Sequence, residues 1–106
     1  VKPLSANQAY KGVKYKTSKY KEYDMELSYK LPPSIDLPDS ELYEIIFEFG
    51  LSSKNADGDN CIKQTQDIIS RKYGFNDKKI RRWVVDAIDV KKGEEYVKFA
   101  INKLER

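Results

Sequence analysis

Histidine is absent from this 106-residue chain, and cysteine, methionine and tryptophan occur once each. Without histidine there can be no Ser-His-Asp or Cys-His nucleophile system, no HExxH zinc site and no imidazole general base. The lone Cys61 rules out an internal disulfide and fits a reducing compartment, so a cytoplasmic setting is expected. No apolar run approaches the roughly 18 residues of a membrane span. No basic-then-apolar leader opens the chain, so neither a signal nor a transit peptide is expected. Any chemistry must therefore fall to carboxylates, lysines or a hard cation that carboxylates hold.

Charge and aromatic residues are abundant: 35% charged, eight tyrosines and a net charge of +3. At this length the chain is read as one domain, residues 1–106, with one core. The charges fall in blocks. Residues 1–33 carry seven lysines against three acids, together with five tyrosines. Residues 34–50 hold Asp36, Asp39, Glu41, Glu44 and Glu48 and no basic residue, and a second basic block runs from Arg71 to Arg82. Two basic blocks with aromatics between them suit a phosphate-binding face, and equally suit an ordinary solvated surface whose lysine stems cover tyrosine rings.

Periodicity gives a coarse outline. Val1–Lys2 read as the tail of a strand ending at Pro3, with the chain expected to have begun a few residues earlier, and Leu4–Lys16 as a loop tight at Gly12. Thr17 or Ser18 can cap a helix from about Lys19 to Leu31, with Tyr20, Tyr23, Leu27 and Leu31 on one stripe and Pro32–Pro33 as its stop. Glu41–Phe49 alternates as a strand, and Gly50–Ala56 reads as a loop. Asp59–Tyr73 has helical spacing and ends at Gly74. Ile80–Val90 and Glu94–Asn102 read as two strands joined by a hairpin turn at Lys91–Gly93. The expected fold is α+β, a small mixed sheet with two helices, in the order strand–helix–strand–helix–strand–strand.

Chemistry concentrates in Lys54–Lys63, where a loop feeds a helix. Asp57 and Asp59, two apart, point the same way on an extended approach, and Lys63 stands four beyond Asp59 on the helix's first turn. Two hard oxygen donors beside an ammonium suit magnesium, which takes one or two carboxylates and keeps water or substrate phosphate. A helix cap at Asp57 with an Asp59–Lys63 salt bridge explains the same letters. An EF-hand fails, because the glycine and the closing glutamate it needs are Asn60 and Gln66. Asp77 with the later Asp89-Val90-Lys91 imitates a restriction-type nuclease triad, a pattern frequent by chance.

Taken in order, Pro3-Leu4-Ser5-Ala6-Asn7, then Asp57-x-Asp59-Asn60 with Lys63, then Gly74-Phe75-Asn76-Asp77 resemble the RusA family of Holliday junction resolvases, small bacterial and prophage endonucleases. The likeness runs from Pro3 to about Ile101. It implies that Asp57, Asp59 and Asp77 are catalytic, metal-holding acids, that Lys63 is the essential lysine, and that Asn7 is the asparagine of the amino-terminal loop. It further implies magnesium, with manganese as a substitute, and a homodimer that nicks opposing strands of a four-way junction during DNA recombination and repair. Where the family carries arginines before its first acid, this chain has Asn55 and Ala56, with Lys54 the nearest base. DNA contacts are therefore expected from Asn7, Lys11, Lys14, Lys16, Lys54, Lys78 and Lys79. A non-catalytic nucleic-acid-binding module and a small phage-type protein-interaction module are the readings from other classes.

Overall fold

The architecture is that of a computed structural model, which describes residues 1–11, 15–53 and 58–106, with the side chains of residues 7, 11 and 15 left aside. A short helix α1 (Ala6–Ala9) leads into a two-residue antiparallel pair, β1 (Tyr10–Lys11) and β2 (Tyr15–Lys16). The long elements follow: α2 (Ser18–Lys30), β3 (Tyr43–Leu51), α3 (Ile62–Tyr73), β4 (Ile80–Asp89) and β5 (Tyr96–Lys103). Single 3-10 turns precede α3 (Gly58–Cys61) and β4 (Asp77–Lys79). No helix among the described residues is long and apolar enough to cross a membrane.

Both long helices form where the sequence predicts, though the second starts at Ile62 and not at Asp59, which lies in the 3-10 turn before it. The Thr17 hydroxyl accepts the Tyr20 N–H at 3.2 Å, which caps the first turn of α2. Pro32 cannot extend the helix. At the end of α3, Gly74 adopts φ 72°, the left-handed conformation that closes a helix, and the Phe75 N–H returns to the Ser70 carbonyl. Tyr20, Tyr23 and Leu27 form the buried stripe of α2. A 2.7 Å hydrogen bond between the Tyr23 and Thr65 hydroxyls fixes α2 against α3 inside the core. Lys72 donates to the Ser28 and Leu31 carbonyls and so satisfies the open end of α2.

The sheet order is β4-β3-β5, parallel between β3 and β4 and antiparallel between β3 and β5. Tyr43, Ile45, Phe47, Phe49 and Leu51 point to the helix side and are buried. With Ile69, Ile80 and Cys61 they make the main core, and Ile68 joins Leu4, Ala9, Tyr20, Tyr23 and Leu27 in a second cluster under the amino-terminal segment. The opposite face of the sheet carries Glu44, Ile46 and Glu48 and has no second layer among the described residues.

Four details of the sequence outline change. Residues 1–5 are irregular and form no strand; Leu4 is nonetheless buried, and its carbonyl is held by the Gln64 amide. The expected loop Leu4–Lys16 contains α1, β1 and β2. Strand β3 starts at Tyr43 and continues through Leu51, because Gly50 passes under the Tyr96 ring: a Cβ there would lie 2.4 Å from a ring carbon. Finally, β4 and β5 do not form a hairpin. Each pairs with one edge of β3, and the six residues between them cross its end. Strands two places apart are separated by roughly 9.6 Å, which six residues span easily and a tight turn does not. The turn at Lys91–Gly93 does occur, with Gly93 at φ 94° and the Glu94 N–H on the Lys91 carbonyl at 2.9 Å.

Candidate functional site

The candidate site lies along one flank of α3, where the amino-terminal hairpin and the turn before β4 come up against it. Lys63 is exposed on the first turn of the helix, and Asp67, one turn further, is half-buried. Asp77 opens the 3-10 turn before β4, whose cap is Asn76: its side chain accepts the Lys78 N–H at 3.0 Å. That turn brings Asp77 near enough to Asp67 for its carboxyl to raise the Asp67 pKa. Lys16, at the end of β2, places its ammonium 4.7 Å from the centre of the Tyr20 ring and within electrostatic reach of Asp67.

Burial pushes the Asp67 carboxyl above its ordinary range. Lys63 opposes the rise, the Asp77 carboxyl adds to it, and Lys16 opposes it again. Two carboxyls in contact need a proton or a cation between them, since two bare charges at that distance repel. Tyr10 and Tyr20, which both feel the Asp67 charge, have rings 5.7 Å apart. Both hydroxyls are buried with no hydrogen-bond partner among the described residues. Burial raises the pKa of each, that of Tyr20 to about 12, and the Asp67 charge contributes in both cases. An unsatisfied buried hydroxyl costs on the order of 1–3 kcal/mol.

Two carboxylates are hard donors of the kind magnesium takes, and the open remainder of its shell suits water or a phosphate. Asp67 and Asp77 would hold such an ion. Among the described residues no group of three or more His, Cys, Asp or Glu side chains lies close enough to share one ion. Asp59 is exposed on the Gly58–Cys61 turn and makes no ion pair with Lys63 among the described residues. The Asp59–Lys63 salt bridge of the alternative reading is therefore not formed among the described residues, and α3 takes Cys61 as its cap residue, with no side-chain capping bond. Lys63 lies instead within electrostatic reach of Asp67, four residues on. The Cys61 thiol is buried and pushed up to about 11, which leaves it an inert core group.

Asp57, Lys14 and Lys54 fall outside the described residues, as do the side chains of Asn7 and Lys11; the Asn7 backbone lies in α1 and that of Lys11 in β1. Lys78 is exposed beside Asp77. Lys79 turns away from the acids: its ammonium lies 4.4 Å from the Tyr43 ring centre and 3.3 Å from the Tyr43 hydroxyl. Sequence reasoning missed Asp67 and the tyrosine pair. Stepping by four from Asp59 through Lys63 reaches Asp67 on the same face, a signal present in the letters; nothing local places Tyr10 and Tyr20 beside it. No protein-family model matches the chain, and no curated protein is similar to it.

Proposed function

We propose that this protein is a magnesium-dependent endodeoxyribonuclease that nicks branched DNA, four-way junctions above all, in recombination and repair. The observation that carries the reading is the pairing of Asp67 with Asp77, whose carboxyls act on one another with Lys63 and Lys16 in electrostatic reach. Asp67 and Asp77 would hold a magnesium ion there, which would supply Lewis acidity toward a phosphodiester and a more acidic bound water, the task for which this chain has no histidine. Asp67 and Asp77 hold the site's negative charge in place. Lys63 offers an ammonium to the charge that develops on the phosphoryl oxygens. Lys16 and Lys78, on either side, attract the DNA backbone without reading its sequence. Asp57 and Asp59, the acids of the RusA resemblance, are proposed to act with this pair, and the working unit is a homodimer that places two centres on two strands.

The test is cleavage of a synthetic four-way junction, with linear duplex and fork controls, in magnesium and in EDTA. Paired nicks that need the metal and favour the junction are expected. Binding without cleavage in any divalent ion would leave a nucleic-acid-binding module instead. In EDTA, Asp77→Asn is expected to bind the junction at least as tightly as wild type, because a charge that repels phosphate has gone, and to keep the steep loss of affinity with salt.

A further inference from the structure

Trp83 is the single tryptophan of the chain, and 46% of it stays exposed. It lies on the helix side of β4, in register beside the fully buried Ile45. Further along the same side, the turn before α3 rests on the strand: a Cβ on Gly58 would stand 3.2 Å from the Ala87 Cβ and 3.7 Å from Val85 Cγ1. At Trp83 the partner is Gln66 of α3, whose side-chain oxygen accepts the indole N–H at 2.7 Å.

That bond occupies the only polar group an indole has. What stays open is π surface, which suits a flat partner laid against it. The surroundings are cationic. The run Lys78-Lys79-Ile80-Arg81-Arg82 leads straight into Trp83, and Lys78 and Arg81 are exposed with no ion pair among the described residues. On α3, the exposed Lys63 stands one turn before Gln66, and Asp67 of the acid pair follows Gln66 directly. A flat ring carried on an anionic chain is a nucleobase on its sugar–phosphate strand. In a duplex the faces of each base are covered by its neighbours, so only an unpaired base, or one splayed out at a branch point, can meet the indole.

We propose that Trp83 is a stacking platform for an unpaired nucleobase, held in orientation by Gln66 on the helix that carries Asp67. The inference rests on the proposed action on branched DNA and supplies what the lysines there cannot. Lys16 and Lys78 meet any phosphate alike, whereas an indole face tells an open strand from a paired duplex. Gln66 is a positioning residue: it touches the ring and not the base.

Because Trp83 is the sole tryptophan, emission excited beyond the tyrosine band reports on this ring alone. Wild type in EDTA is titrated with a four-way junction, a fully paired duplex, oligothymidylate and an abasic strand of the same length. The junction and oligothymidylate are expected to quench the emission on binding. The duplex and the abasic strand are expected to bind through phosphate and leave it unchanged. Trp83→Ala is expected to weaken oligothymidylate binding about tenfold and leave duplex binding as it was, with Trp83→Phe recovering most of the loss. Gln66→Ala, which keeps the ring and frees it, is expected to lose less than Trp83→Ala. Equal quenching by the duplex or the abasic strand, or binding of oligothymidylate and junction with unchanged emission, overturns the inference; wild-type emission still decides it if Trp83→Ala fails to fold. Junction cleavage with unchanged emission overturns the stacking alone, while quenching without cleavage in magnesium overturns the nuclease and leaves the stacking. A protein that binds none of the four overturns both.

Discussion

Strands β3 and β4 are parallel neighbours of nearly equal length and similar apolar content, yet they play opposite parts. Every second side chain of β3 is buried between the helices and the sheet, whereas β4 buries Ile80 alone. The difference lies in place. β3 has a strand on each edge and a helix layer over it, while β4 has a strand on one edge and only part of that cover. A central strand spends its apolar residues on stability; an edge strand keeps them within reach of a partner. The acid pair lies on the same margin, at the turn that feeds β4 and the flank of α3 beside it.

The contrast predicts unequal costs of truncation. Phe47→Ala, at the fully buried centre of β3, is expected to lose about 3–5 kcal/mol in denaturant unfolding. Val84→Ala on β4, measured at a dilution where the chain is monomeric, is expected to lose under about 1 kcal/mol. Equal losses would break the comparison. Tyr23→Phe falls between them: it strands the buried Thr65 hydroxyl and is expected to cost about 1–2 kcal/mol by the same measurement.

A smaller effect sharpens the account at the site. Because the folded protein holds the Asp67 carboxyl above its ordinary value of 3.8, the folded state binds more protons there than the unfolded one. Its stabilising contribution is full below pH 3.8 and is lost as the pH rises through the raised value. Asp67→Asn is therefore expected to raise the melting temperature at pH 7 in EDTA and to give no gain near pH 3, as thermal melts at the two pH values would show. Magnesium should stabilise wild type and should stabilise Asp67→Asn less, since the ion takes over the role of the shared proton. Smallest of all, Lys63→Ala is expected to change stability by only a few tenths of a kcal/mol, as an exposed first-turn lysine should, while abolishing nicking.

The local signals in the sequence were reliable where they were chemical. Thr17 caps, Pro32 stops, and Gly74 turns left-handed, so both helices lie where spacing puts them. Pairing was another matter. The residues of β4 and β5 alternate as well for a hairpin as for two flanks of β3; what decides is that β3 has two edges to fill and that Gly50 lets Tyr96 lie across it. The site was legible in the same uneven way. Asp77 and Lys63 stand out by motif, and Lys16 by its basic block. Asp67 looks like an ordinary polar residue of α3 until the turn before β4 brings a second carboxyl to it.

The most direct test of the carboxyl pair as a cleavage centre is single-turnover nicking of a four-way junction by wild type and Asp77→Asn, with magnesium, both proteins shown to be folded and to bind the junction. The account predicts that wild type cuts only with the metal and that Asp77→Asn cuts slower by roughly 100-fold or more. Near wild-type cutting by Asp77→Asn, or a wild type that binds the junction and never cuts it, would contradict it.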